Sequence, residues 1–190
     1  MSAQTSIPPD YFDALYAQDA DPWRFASSDY ERAKYAATLA ALPMARCDAA
    51  FEVGCSIGVL TRQLAERCST LLAVDVAEAA LAQARRRCAG LDRVTVQRMR
   101  IPGEWPDRQF DLIVLSEVLY YLSPIDVVRT AARTQASLAP GGTVLLVHYT
   151  LPMDYPCDGN EASEIFIATS GLAVIRQRRE AQYRLDLLQA

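Results

Sequence analysis

The sequence predicts an α/β fold wound on both sides of a mostly parallel sheet, and three observations predict it. Apolar strand-like runs alternate with amphipathic helical runs from about residue 49 to 149. Two of the strand runs, Thr70 to Asp75 (TLLAVD) and Phe110 to Ser116 (FDLIVLS), are apolar almost throughout, as strands covered on both faces are. The chain has 190 residues, 51% hydrophobic and 22% charged with a mean hydropathy of +0.02, which suits one globular domain with a real core.

The elements follow in order. Pro9 to Gln18 reads as a helix, followed by an irregular stretch through Asp21-Pro22-Trp23. Ser28 stands three residues before Glu31, a capping-box spacing that opens a helix to Leu42. Ala49 to Val53 is the first strand, with a helix from about Gly58 to Cys68 after it. Strand Thr70 to Asp75, helix Glu78 to Ala89, strand Val94 to Met99 and strand Phe110 to Ser116 come next. Ser123-Pro124 starts a helix, serine as cap and proline at the first helical position. That helix runs to Leu138 and stops at Pro140-Gly141-Gly142, ahead of strand Thr143 to Tyr149. A helix near Asn160 to Thr169 precedes strands Leu172 to Arg178 and Tyr183 to Leu188, whose short link makes them an antiparallel pair. A single domain is expected over residues 1–190, with 1–45 as an N-terminal helical lid and 46–190 as the core.

Composition excludes several function classes. No apolar run reaches the ~18–20 residues of a membrane span, so no membrane partner is expected. Residues 1–10 (MSAQTSIPPD) lack a basic stretch before an apolar one, so no signal peptide is read and a cytoplasmic location is expected. Nineteen basic against 23 acidic residues, with a pI near 5.0, disfavour nucleic acid as a partner and leave a small molecule. The five cysteines (47, 55, 68, 88 and 157) contain no CxxC pair and read as reduced structural thiols. With His148 the only histidine, a His-rich metal site is impossible and no metal is expected. Oligomeric state is not written in the sequence.

The turn after the first strand, Phe51-Glu52-Val53-Gly54-Cys55-Ser56-Ile57-Gly58-Val59, carries the chemistry, and three readings compete. Gly54-Cys55-Ser56-Ile57-Gly58 matches the G-x-S-x-G elbow of α/β hydrolases, with Ser56 as nucleophile and His148 as the only base. No oxyanion segment precedes it, and the elbow falls after the first strand. The nicotinamide fingerprint G-x-G-x-x-G fails at Ser56 and Val59. A nucleoside-binding turn fits better: Gly54 permits a sharp turn, Gly58 a close approach of the helix start to a ligand, and Asp75 ends the next strand where a carboxylate can accept from both ribose hydroxyls.

At these residues the sequence resembles a known family. Glu52-x-Gly54-x-x-x-Gly58, Asp75, Phe110 to Val114 and Leu138 to Gly142 are similar to class I S-adenosylmethionine (SAM) methyltransferases. Asp21-Pro22-Trp23, the glycine turn, Arg98 to Pro106 (RMRIPGEWP) and Ser116 to Leu122 (SEVLYYL) resemble the rhizobial nodulation N-methyltransferase family, NodS. The resemblance implies a seven-stranded sheet with SAM as cofactor and S-adenosylhomocysteine (SAH) as product. It places Gly54, Cys55, Ser56 and Gly58 against the methionine and ribose portions, Glu52 at the amino end, Asp75 on the ribose and Val76 on the adenine. Many relatives read the adenine amino group with an acidic residue after the third strand. Here Arg98-Met99-Arg100-Ile101 has none, which leaves the backbone of Arg100 or Ile101, with Met99 on the ring face.

Ser116 and Glu117 end the fourth strand, where the family positions the reactive methyl group. Glu117 is the candidate to orient an amine or take its proton, and His148, ending the fifth strand, is a candidate base. Tyr120, Tyr121 and Tyr149 are candidates to line the acceptor pocket. Trp23 of the N-terminal segment joins a lid over the cofactor, with Arg32 facing the methionine carboxylate. The expected activity is methylation of a small-molecule amine, an amino sugar or chito-oligosaccharide by resemblance. An O-methyltransferase, a non-catalytic SAM-binding module and the Ser56 hydrolase are the alternatives. A nucleic-acid methyltransferase fits worse, because no Asn/Asp-Pro-Pro-aromatic string follows the fourth strand and Pro156-Cys157 falls after the fifth.

Overall fold

A computed structural model of the chain describes residues 5–190. Its strands form a seven-stranded sheet in the order β3-β2-β1-β4-β5-β7-β6, as the resemblance implies. By contacts the chain divides into two compact units, Pro8–Arg100 and Ile101–Ala190, the second including residues 5–7.

The N-terminal unit holds α1 (Pro9–Gln18), α2 (Asp29–Ala41), β1 (Cys47–Val53), α3 (Val59–Leu64), β2 (Cys68–Asp75), α4 (Glu78–Arg87) and β3 (Val94–Arg98). Both strand pairs are parallel, β1 with β2 (Val53 opposite Val74) and β2 with β3 (Asp75 opposite Arg98). The Ser28 hydroxyl caps α2 by accepting from the Glu31 N–H at 3.3 Å, as the spacing predicts. The helix expected from Gly58 to Cys68 is shorter. It ends at Leu64, a 3-10 turn covers Ala65–Arg67, and Cys68 already lies in β2 because it is the ladder partner of Cys47.

A small apolar cluster ties α1 and the loop after it into the N-terminal unit. Tyr16 of α1 packs with Ile57, Ala77 and Ala80, and Phe12, Trp23, Phe25 and Val59 close around them. Burying one such apolar side chain is worth roughly 1.5–3 kcal/mol, so α1 is fixed to the strand ends it covers. Asp21 sets the Trp23 loop by accepting from the Phe25 and Ala26 N–H groups at 2.8 and 2.9 Å.

The C-terminal unit holds β4 (Phe110–Ser116), a 3-10 turn (Leu119–Tyr121), α5 (Pro124–Ser137), β5 (Leu138–Tyr149), α6 (Gly159–Ser170), β6 (Ala173–Arg179) and β7 (Tyr183–Gln189). β4 and β5 are parallel, while β7 runs antiparallel to both β5 and β6, the hairpin the short link predicts. The helix expected to run to Leu138 ends at Ser137. Leu138 pairs with Phe110, and Pro140-Gly141-Gly142 falls inside β5, where the register with β4 shifts. Gly159 is required by close approach: a Cβ there would lie 1.8 Å from the Tyr149 carbonyl oxygen. β6 is exposed along its length and carries Arg176, Arg178 and Arg179, charges that discourage pairing at a sheet edge.

Beneath α6 lies an ion network. Arg184, 1% exposed, donates from Nε and Nη2 to the two carboxylate oxygens of Asp186 at 2.7 and 2.9 Å, and from Nη1 to Glu164 at 2.7 Å. Gln177 donates to Asp186 as well.

Candidate functional site

The glycine turn sits in the N-terminal unit with three left-handed residues, Gly54 (φ 76°), Ser56 (φ 50°) and Gly58 (φ 80°). The N–H groups of Gly54 and Cys55 both donate to the Val74 carbonyl, at 2.8 and 2.9 Å, which ties the turn to the end of β2. Asp75, one residue on, accepts from the Ser56 N–H through Oδ2 at 2.8 Å and from the Ala77 N–H through Oδ1 at 3.0 Å. Burial raises its pKa above the ordinary carboxylate range, and the two N–H donors hold it back. The carboxylate is therefore fixed in place by the backbone on both sides. Left-handed strain at a non-glycine residue is typical of functional turns, and Ser56 carries it here.

Gly58 also makes room for a neighbouring helix. A Cβ there would meet the Ala84 Cα at 2.9 Å and its Cβ at 3.0 Å, so the missing side chain lets α4 pack against the start of α3.

Glu52, 2% exposed, lies two residues before the turn. Its Oε2 has no hydrogen-bond partner, and the Thr61 hydroxyl nearby eases the burial without completing a bond. Burial pushes its pKa up to about 7, with Asp75 adding to the rise. Thr134 and Thr143 likewise keep a buried hydroxyl without a partner, but Glu52 is the one of these that carries a titratable group beside the glycine turn. Cys55 is buried and its thiol is pushed up by burial and then by Asp75 and Glu52, so it is a packed wall of the turn rather than a nucleophile.

The remaining cofactor candidates divide. Val76 is partly buried and its carbonyl accepts from Arg98 Nε at 2.9 Å. Met99, also partly buried, donates its N–H to the Asp75 carbonyl at 3.0 Å, which brings the end of β3 to the end of β2. Arg100 is exposed and Ile101 partly buried at the start of the other unit. Trp23 meets Tyr16 edge-on with centroids 5.7 Å apart, and the Tyr16 hydroxyl hydrogen-bonds the Ser56 hydroxyl. Tyr16 was not singled out in the sequence; its apolar neighbour Phe12 on the same helical face was the available signal. Arg32 is not gathered into this group. It is 70% exposed and pairs with Asp29 one turn away at 2.7 Å, while the same helix buries Lys34 in an ion pair with Glu31 at 3.0 Å.

In the C-terminal unit Ser116 is buried at the end of β4, and Glu117 follows it in a left-handed conformation (φ 57°). Glu117 Oε2 accepts from the Tyr120 hydroxyl and the Tyr149 N–H, each at 2.9 Å. Tyr120 stacks on Tyr155 with centroids 5.8 Å apart and planes at 8°, and Tyr121 closes the trio edge-on to Tyr155 at 4.7 Å. Tyr155, from the loop after β5, carried no sequence signal. His148, the candidate base, is held by hydrogen bonds on both sides of its ring. It is fully buried, its Nε2 accepts from the Leu119 N–H at 3.2 Å, and its Nδ1 faces the Ser163 hydroxyl at 3.3 Å. An acceptor at Nε2 puts the ring proton on Nδ1, a neutral histidine with both nitrogens engaged in holding β5 to its neighbours. The hydrolase reading falls with it, because Ser56 bonds Tyr16 and His148 bonds Leu119 and Ser163.

The family model for nodulation protein S (NodS) matches residues 13–150. The chain belongs to the NodS family. It is 38% identical over 130 residues to nodulation protein S of Bradyrhizobium diazoefficiens, an alignment covering 66% of this chain and 61% of that protein. Against the Rhizobium tropici protein the figures are 37% identity, 64% and 52%, so the match spans little more than half the length of these relatives. A solved structure from Pseudomonas syringae is 37% identical with a TM-score of 0.76, covering 85% of this chain and 99% of that one. The structure of N-methyltransferase NodS from Bradyrhizobium japonicum in complex with SAH superposes with a TM-score of 0.84 at 23% identity, covering 95% and 96% of the two chains, which establishes the shared fold.

Proposed function

We propose that this NodS-family chain is a SAM-dependent methyltransferase that N-methylates the amine of a small acceptor, an amino sugar or chito-oligosaccharide in class. The observation that carries the cofactor reading is the backbone-held carboxylate of Asp75 beside a left-handed glycine turn. The open Oε2 of buried Glu52 adds a fitting partner for a cationic amino group. Bound SAM supplies an electrophilic methyl group on a cationic sulfur.

Asp75 is set to accept from two vicinal hydroxyls, because its bonds to Ser56 and Ala77 use one lone pair on each oxygen. Glu52 offers a negative charge whose burial penalty is relieved once a cation sits on it. Tyr16, edge-on to Trp23, covers the turn where its hydroxyl bonds Ser56. Glu117, fixed through Oε2 by Tyr120 and Tyr149, orients the acceptor amine and accepts its proton as nitrogen becomes positive. Methyl transfer from an activated sulfonium rests mainly on orientation, which supplies up to ~7–11 kcal/mol, so no further strong acid is needed.

Calorimetric titration tests the cofactor: SAM and SAH should each release heat, and Asp75→Ala should weaken SAH at least tenfold. A labelled-methyl screen then separates chito-oligosaccharide amines, other amines and phenols. Turnover of phenols with silence of every amine would sink the N-methylation reading. Among the described residues no helix is long and apolar enough to cross a membrane. We place the enzyme in the cytoplasm, where SAM is made, with a small-molecule partner rather than nucleic acid.

A further inference from the structure

Cys47 and Cys68 are brought together by the ladder that builds the N-terminal unit. They are opposite partners in the parallel pairing of β1 and β2, and their sulfurs lie 3.3 Å apart. Adjacent strands run about 4.8 Å apart, inside the range of Cα separations that a disulfide spans. Side chains of ladder partners leave the sheet on the same face, so no backbone rotation is needed to aim one sulfur at the other. All five cysteines are buried, and Cys47 and Cys88 are the most open of them, at 7% and 6% exposure.

We infer that Cys47 and Cys68 are an oxidisable pair, a modification site that closes into a β1–β2 disulfide when the protein meets a low-molecular-weight disulfide such as oxidised glutathione. Cys47 is the entry point, being 7% exposed where Cys68 is fully buried. The Cys47 thiolate attacks one sulfur of the small disulfide, forming a mixed disulfide and releasing one small thiolate. The Cys68 thiolate then attacks the Cys47 sulfur, forming the internal S–S bond and releasing the second small thiolate. The two protons from the cysteines end on the two released thiols. Two electrons pass from the protein to the small disulfide, and nothing else is consumed.

The bridge lies at the start of both strands, whereas the glycine turn and Asp75 lie at their ends. It therefore staples the sheet without touching the turn. By restricting the unfolded chain it should raise the melting temperature by several degrees.

The test is thiol counting and non-reducing peptide mapping of the purified chain before and after oxidised glutathione. The five thiols should fall to three, with one cross-linked peptide containing residues 47 and 68, and dithiothreitol should restore all five. Cys88→Ser should give the same bridge with one thiol fewer, while Cys68→Ser should stop at glutathione held on Cys47. Retention of five thiols in the folded wild type, a bridge to any other cysteine, or glutathione lodged on Cys47 of the wild type without closure would each overturn the inference. None of these outcomes depends on whether the chain transfers methyl groups.

Discussion

In the N-terminal unit the buried carboxyl of Glu52 and the half-buried one of Asp75 are pushed above their ordinary range, and Glu52 keeps an oxygen with no partner. In the C-terminal unit Arg184 and Asp186 are as deeply buried, yet both carboxylate oxygens of Asp186 and three guanidinium nitrogens of Arg184 are bonded. Burial first pushes the Arg184 pKa down, and its bonds to Asp186 and Glu164 turn the net shift upward. His148 follows the same pattern, with both ring nitrogens engaged. The contrast teaches that burial alone does not mark a site. In the C-terminal unit the buried charges of Arg184 and Asp186 are bonded, whereas at Glu52 one oxygen is not, and that difference can be tested. The units differ in net charge too, with twelve basic and twelve acidic residues between Pro8 and Arg100 but seven and eleven after Ile101.

The largest effect should come from breaking the saturated network. Asp186→Ala leaves buried Arg184 with Glu164 as its one carboxylate and only long bonds to Asn160, and such a loss costs about 3–5 kcal/mol. Urea denaturation should show that loss, while SAH affinity at low temperature should change less than twofold. The double variant Arg184→Met/Asp186→Leu should recover much of the stability, since apolar replacement of a buried pair is often neutral. Full loss in the double variant would mean that the network does more than hold β7 under α6.

Glu52→Gln tests the unsaturated side. A carboxyl whose folded pKa is about 7 against 4.5 in the unfolded chain binds its proton more tightly when folded, so wild-type stability falls as pH rises between those values. Above pH 7 the cost is on the order of 3 kcal/mol. Glu52→Gln should therefore be more stable than wild type at pH 8 and equal to it near pH 4, and it should bind SAH more weakly at pH 8, where Glu52 is charged, with the difference shrinking toward pH 4. Equal stability at pH 8 would show Glu52 to be satisfied like Asp186.

Two glycines separate strain from packing within the N-terminal unit. Gly58 and Gly90 share a left-handed φ, 80° and 81°, but only a Cβ at Gly58 meets another helix. Gly90→Ala should cost about 1 kcal/mol and Gly58→Ala about 1–3 kcal/mol more, with the larger change accompanied by weaker SAH binding. Thermal denaturation of the two variants side by side makes the comparison, and equal losses would remove the role given to the Ala84 contact.

Most of the fold was legible because its signals are local. The apolar runs of β2 and β4, the serine caps of α2 and α5 and the antiparallel hairpin of β6 and β7 are written in a few neighbouring residues. Boundaries failed where pairing between distant residues decides them: Cys68 is strand because of Cys47, and Leu138 because of Phe110. The candidate site divides along the same line. The glycine turn and Asp75 follow from strand-end position. The bond of Tyr16 to Ser56, the stacking of Tyr155 on Tyr120 and the enclosure of His148 depend on elements 15 to 40 residues away. A lone histidine at a strand end looks the same in sequence whether its nitrogens are open or taken.

Arg32 and Trp23 give the finest test of the contrast, because both were assigned to the lid on sequence grounds. Arg32 is exposed, and its partner Asp29 is 91% exposed, so the pair is screened by water and gains little. Trp23 is packed on Tyr16, whose hydroxyl meets Ser56 at the strained point of the turn. Arg32→Ala should leave stability unchanged within error and SAH affinity within twofold. Trp23→Ala removes an aromatic neighbour from Tyr16 and should weaken SAH several-fold, chiefly through faster dissociation as the cover over the turn loosens. Stopped-flow measurement of SAH release from both variants reads the difference. A tenfold loss in Arg32→Ala with no change in Trp23→Ala would mean that Arg32, and not the aromatic cover, holds the cofactor at this part of the site.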